Sequence, residues 1–477
     1  MSQKLETGAL KAFALRSVLV VVVLKSALNL SVANRYGWHR DELYYAVAGR
    51  HLQGGYVEFP PLTALFAALS RLFGNSLVGL RGFVILAGAV VVVLAALIAR
   101  ELGGGARAQV LAAVLVAFSP ILITTNGLFQ PVSLDQLTTL LLLFLALRLA
   151  LGRGNWLLIG LAAGVGLETK YTLAVLLSLL LVAFLVFRRD LLRSRGFLLA
   201  AAVASALMIP NLIWQAGHGW ASLHFFTNPP PSASAESRPQ FVGNLFLLSG
   251  LVALPVAVAG LRLLARDRAL RALAWAVVGT ILAYFVLNGK SYYLAPVVFF
   301  ALAAGSVPLD RWLSSRRLWA GATAFGLFGL AFLPFALPVL PLETANRLGV
   351  LEARSDYESE VGWPGYVEQV RRASRGADVI IAMNYGEAGA LQVLGHDLPP
   401  VASGNVTYRY WRPDVAGRQA VVVGFDRRQA TFCGANYRVV ARIEMPVANE
   451  ERGRPIARCS LDGSLAAVWP RVLALYD

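Results

Sequence analysis

Charge is scarce in this chain. Only 15% of its 477 residues are Asp, Glu, Lys or Arg, where soluble domains carry about a quarter. Cysteine is scarcer still: Cys433 and Cys459 are the only two, so no metal-type cysteine spacing exists. Histidine numbers five. His218 and His224 share a loop, but six residues apart is not a standard ligand spacing, and a divalent metal is left open. Acidic residues are outnumbered 27 to 43 by basic ones, for a formal charge of +16. The basic residues sit in short loops between apolar runs, with no basic stripe interleaved with aromatics, so nucleic acid is not the expected partner. No internal repeat is present, and the only low-complexity stretch is Pro229 to Ala235.

What fills the chain is apolar sequence, 57% of all residues. A helix that crosses a hydrocarbon layer of ~30 Å needs roughly 20 apolar residues. Runs approaching or meeting that length are expected at 17–33, 77–99, 107–123, 136–151, 156–167, 172–187, 197–215, 241–261, 272–288, 294–309 and 318–340. The reading is an α-helical polytopic membrane protein with about eleven spans. Lys4, Lys11 and Arg16 precede the first run, which has no small-residue cleavage site, as in a retained signal-anchor.

Alternate loops differ in charge. One set holds Arg100 with Arg107, Arg148 with Arg153, Arg188 to Arg195, Arg262 to Arg271, and Asp310 to Arg317. The positive-inside bias puts this set and the N-terminus in the cytoplasm. The other set, 34–75, 124–135, 168–170, 216–240 and 289–293, then faces outward, as does everything after Leu340. The chain divides at about 341 into a transmembrane domain, 1–341, and an extracytoplasmic soluble α/β domain, 342–477, in a multi-pass protein of the cell (inner or plasma) membrane. Residues 41–73 read as two helices lying in the headgroup region. In the outer domain, helical character at 362–374 precedes β-rich runs at 377–383, 419–425, 437–444 and 455–460. The two cysteines lie here, as a disulfide or as two buried thiols.

Most polar residues suited to chemistry fall on the outward face. Asp41-Glu42 closely follows the first span, and a carboxylate pair there can act as a base, bind a metal, or simply open a helix through the macrodipole. Lys170 and Lys290 occupy very short outer loops against the charge bias, either snorkelling or holding an anion. Arg81 and Arg71 are further cations. Glu58 precedes a Pro-Pro step. Asp135 is either a helix N-cap or an orienting group. Tyr292-Tyr293 suits an aromatic belt or a sugar contact.

The order of these features resembles one family. An acidic pair after the first span is followed by Gly55-Tyr56-Val57-Glu58-Phe59-Pro60-Pro61-Leu62, Ser119-Pro120, Asp135, Gly166-Leu167-Glu168-Thr169-Lys170-Tyr171, Lys290-Ser291-Tyr292-Tyr293-Leu294-Ala295-Pro296 and Asn384-Tyr385-Gly386-Glu387-Ala388-Gly389-Ala390. This is similar to the bacterial protein O-mannosyltransferase-like family of the GT-C glycosyltransferases, and more loosely to the aminoarabinose transferases that modify lipid A. The latter carry Glu-Lys-Pro where this chain has Glu58-Phe59-Pro60, which weakens that assignment. The resemblance implies transfer of a sugar from a polyprenyl-phosphate donor to a lipid, glycan or protein acceptor. Asp41 would be the general base, with Glu42 beside it, and inversion is usual. Lys170, Lys290 and Arg81 would bind the donor phosphate, and Glu58, Asp135, Tyr292 and Tyr293 would support them. A transporter or flippase would need polar groups through the bilayer, and the spans carry little charge beyond Lys25. A scaffold presenting the outer domain would need no convergence of acid and cations.

Overall fold

The computed structural model describes residues 10–228, 236–250, 253–447 and 449–476. Lys4 and the proline-rich stretch at 229–235 lie outside them. The chain divides into two compact units. The first comprises Met1–Ala33, Phe59–Thr63 and Val78–Val339; the second comprises Asn34–Glu58, Ala64–Leu77 and Leu340–Asp477. Residues 34–58 and 64–77 therefore cluster with the C-terminal part.

The first unit is helical, and each expected span overlaps a helix or a helix pair. Among the described residues, four helices can by length and hydropathy cross a membrane: Leu77–Glu101, Pro131–Ala150, Arg195–Gly217 and Ser291–Trp312. A fifth span results if the pair Arg238–Ser249 and Ala253–Arg266, bent by 90°, counts as one. Against the eleven read from hydropathy stand four uninterrupted helices, or five spans with the bent pair, among the described residues, and local breaks account for part of the gap. Pro120 cannot donate to the preceding turn, so the run at 107–123 is cut into Ala106–Ala117 and Pro120–Thr125. Gly250 adopts φ 93°, which ends Arg238–Ser249 inside the expected 241–261 run.

The Ala295–Trp312 helix lies at the centre, buried at every position from Ala295 to Pro308. It meets the Ala253–Arg266 helix where both lack side chains: a Cβ on Gly305 would stand 1.9 Å from the Val256 carbonyl oxygen, and one on Gly260 2.1 Å from that of Ala301. Small residues at such crossings let membrane helices pack backbone to backbone. By contrast, only 11% of the apolar stretch of Arg195–Gly217 is buried. Its exposed Leu198, Leu199, Ile209, Leu212 and Ile213 make an apolar surface of the kind that lipid covers. Lys25, the one charge in the first apolar run, turns inward and is fully buried, donating to Asn126 Oδ1.

The loop sets seen in sequence are each tied together. Glu101 pairs with Arg148 (3.3 Å) and Arg153 (3.1 Å), Arg107 pairs with Asp310 (2.8 Å), and Arg188 donates to the carbonyls of Ala150 and Ala269, both at 3.1 Å. In the other set, Leu62 N–H donates to the Glu168 carbonyl (3.1 Å).

The second unit is built on a five-stranded sheet with β1 Val379–Ala382, β2 Val401–Ala402, β3 Gln419–Val423, β4 Arg438–Arg442 and β5 Pro455–Ser460. The order is β2-β1-β3-β5-β4, with β2 and β3 parallel to β1 and β5 antiparallel to β3 and β4. All four residues of β1 are buried, as a central strand covered on both faces requires. The expected helix appears as Trp363–Ala373, burying Trp363, Tyr366, Val367 and Val370. Four of the five strands coincide with the expected runs; β2 has only two residues and left no periodic trace. Cys433 and Cys459 form a disulfide with Cα atoms 5.7 Å apart.

Candidate functional site

Asp41 lies in the first turn of the helix Arg40–Ala48, whose start is built by a capping box. His39 Nδ1 accepts from the Asp41 N–H (3.2 Å), and Glu42 reaches back to accept from the His39 N–H at 2.9 Å. The neighbouring carboxylates are thereby given different work. Glu42 is fully buried in the cap, whereas the Asp41 side chain keeps 25% of its surface open. Because His39 Nδ1 is already an acceptor, its 3.8 Å approach to Asp41 Oδ2 is not an ion pair in this tautomer.

The Asp41 carboxylate is held from 344 residues away: the Tyr385 phenol donates to Oδ1 at 2.7 Å. Tyr385 opens the helix Tyr385–Leu394, which has its own capping box: Asn384 Oδ1 accepts from the Glu387 N–H and Glu387 Oε2 from the Asn384 N–H. Burial, and then the Asp41 carboxylate, push the Tyr385 phenol well above its ordinary range, so it remains a donor. Arg40 lies over the Tyr385 ring at 4.8 Å and pairs with Glu450.

Glu58 is held in the same unit. The Tyr44 phenol donates to both of its oxygens (3.1 and 2.8 Å), and the Thr407 hydroxyl donates to Oε2 at 3.0 Å while accepting from the Val57 N–H. Burial pushes Glu58 up to about 7, which keeps it part-protonated near neutrality. Tyr44 stacks with Tyr385 and Tyr408, and Trp411 packs on Tyr408 and His51. This aromatic wall draws on residues that sequence reading left without a role: Tyr385, Thr407, Tyr408 and Trp411. The recurrent stretch Asn384 to Ala390 was the one available signal for Tyr385.

In the first unit Lys170 and Lys290 both lie near Tyr293. The Lys170 ammonium sits 3.6 Å from the centroid of the Tyr293 ring, and Lys290 is close enough to act electrostatically on the same phenol. Tyr292 packs edge-on against Tyr293 at 4.6 Å. Asp135 is buried, accepts from the Thr139 hydroxyl at 3.1 Å and feels the Lys170 charge. It is not the helix cap: Gln130 holds that position ahead of Pro131, and Asp135 lies a turn inside. Arg81 is buried and spends one N–H on the Ala33 carbonyl at 3.0 Å. Glu236, not singled out in sequence, accepts from the N–H and hydroxyl of Ser291 beside Lys290.

Among the described residues no three His, Cys, Asp or Glu side chains gather as a metal site. His218 stacks on Trp214 at 4.0 Å and bonds its carbonyl, and His224 contacts Asn228.

Residues 58–214 match the family described as dolichyl-phosphate-mannose-protein mannosyltransferase. No curated protein matches the chain in sequence. Among solved structures, that of ArnT from Cupriavidus metallidurans in the apo state is similar at a TM-score of 0.63 and 16% identity, covering 97% of this chain and 98% of that one. The same protein bound to undecaprenyl phosphate gives 0.59 at 17% identity, with 94% and 97% covered. The arabinofuranosyltransferase AftD from Mycobacteria gives 0.53 at 17%, covering 96% of this chain and 41% of AftD. At these identities the likeness establishes the fold. The chain thus shares the fold of ArnT and AftD, and about a third of it, residues 58–214, matches the mannosyltransferase family.

Proposed function

We propose that the protein transfers a sugar from a polyprenyl-phosphate donor to a lipid, glycan or protein acceptor on the extracytoplasmic face, with Asp41 as general base and inversion at the anomeric carbon. The acceptor hydroxyl must lose its proton as it attacks, which calls for a carboxylate within hydrogen-bond reach. The observation that carries this reading is the presentation of Asp41: partly open and aimed by the Tyr385 phenol. Its neighbour Glu42 is committed to the helix cap.

A phosphate leaving group is already a stable anion, so the donor side needs positive charge rather than an acid. Lys170 and Lys290, gathered at Tyr293, are the proposed phosphate partners, with Asp135 tuning Lys170 and Tyr292 and Tyr293 shaping the contact. Arg81 and Glu58 would support the two groups. The undecaprenyl phosphate in the ArnT structure is a lipid of the proposed donor class. The proposed topology keeps eleven crossings, a cytoplasmic N-terminus, a transmembrane domain at 1–341 and an outer domain at 342–477. The disulfide Cys433–Cys459 supports an oxidising location for that domain.

The test is transfer from labelled polyprenyl-phosphate sugars to a panel of acceptors by the purified wild type and Asp41→Asn. Loss of turnover with donor affinity kept is expected; full turnover in the variant removes Asp41 from the role of base.

A further inference from the structure

Glu168 ends the helix Trp156–Leu167 as its C-cap, and nothing in the stability of the fold accounts for it. The residue is only 7% exposed, and among the described residues neither carboxylate oxygen has a hydrogen-bond partner. A buried polar group left unbonded costs on the order of 1–3 kcal/mol, more when charged. The helix C-terminus adds to the cost, since it carries partial negative charge and favours cations. Burial accordingly pushes Glu168 up to about 7.

The backbone around it is not loose. Glu168 N–H donates to the Gly164 carbonyl (3.0 Å), its carbonyl accepts from Leu62 N–H (3.1 Å), and Thr169 and Lys170 N–H both donate to Gly166. The backbone that carries the carboxylate is therefore fixed. Two hydroxyls share its condition: Thr172 Oγ1, four residues on, and Thr63 Oγ1, next to the Leu62 that bonds Glu168, are buried without partners. Lys170, proposed to hold the donor phosphate, is two residues away.

We propose that Glu168, with Thr63 and Thr172, forms a subsite for the hydroxyl groups of the transferred sugar. This rests on the lipid-phosphate donor reading and deepens it. A sugar ring matches the set in both senses, because its hydroxyls donate to the carboxylate and exchange hydrogen bonds with the two threonines. A site that hydrogen-bonds a substrate hydroxyl discriminates strongly against the analogue lacking it, so Glu168 is a specificity-determining residue. Without a sugar the lipid phosphate would still find the lysines.

The test measures binding to the purified full-length wild type and Glu168→Gln, a change that preserves shape. The probes are labelled polyprenyl-phosphate mannose, glucose and arabinose, the sugar-free polyprenyl phosphate, and monodeoxy analogues of the tightest sugar. At least one monodeoxy analogue is expected to bind the wild type about tenfold to a hundredfold more weakly than its parent. Glu168→Gln is expected to bind parent and analogue alike, to bind the sugar-free lipid phosphate as the wild type does, and to melt at the same temperature or higher. Undiminished discrimination by the variant overturns the proposal while leaving the donor reading intact. A wild type that binds none of the lipid phosphates overturns the donor reading and this inference with it.

Discussion

Glu387→Gln should remove a pH dependence from the second unit. Glu387 is fully buried on the helix Tyr385–Leu394; its Oε2 accepts from the N–H groups of Met383 (2.9 Å) and Asn384 (3.2 Å), and its Oε1 is unpartnered. Burial, then the neighbouring Glu451, push it up to about 8, against about 4.3 in an unfolded chain. The folded state therefore holds a proton that the unfolded state releases. This contribution is complete below about pH 4, declines as pH rises toward 8, and is flat above. At up to about 1.4 kcal/mol per pH unit, the loss between pH 6 and pH 8 is about 2 kcal/mol for this one group, or about thirtyfold in the opening equilibrium. Glutamine keeps an acceptor for both N–H groups and carries no charge. Amide hydrogen exchange of the full chain, followed in peptides covering β1, β3 and the Tyr385 helix and corrected for intrinsic exchange rates, reads the effect directly. The wild type should lose protection between pH 6 and 8, and Glu387→Gln should not. An unchanged slope in the variant would refute the assignment. The consequence reaches the chemistry, because this helix carries the phenol that holds Asp41.

Tyr385→Phe should lower kcat by about tenfold with KM nearly unchanged. The phenol aims the Asp41 carboxylate, so steady-state kinetics of the purified variant check this, and an unchanged kcat would leave Tyr385 as mere packing. Cys459→Ser, which opens a bridge between cysteines 26 residues apart, should destabilise the folded second unit by about 3 kcal/mol. Exchange or melting measurements with and without reductant would check this, and equal stability would show that the bridge contributes little.

Hydropathy made the helical unit legible because lipid demands long apolar runs wherever a helix crosses, and the basic loops showed which connections share an end. The interruptions at Pro120 and Gly250 depended on backbone conformation and went unseen in hydropathy. The strands were legible where burial made continuous apolar runs, as in Val379–Ala382, and β2 was too short for any period. Asp41, Glu58, Lys170 and Lys290 were legible as odd charges beside apolar sequence, since an unneeded charge there is costly. Sequence by itself could not divide the work of Asp41 and Glu42, which are adjacent in the chain and differ only in which way the capping box turns them. Nor could it bring Tyr385 to Asp41 or Thr407 to Glu58, contacts spanning 344 and 349 residues. Composition and period report what each segment needs from its surroundings; the identity of the distant group that meets the need is decided only when the chain closes on itself.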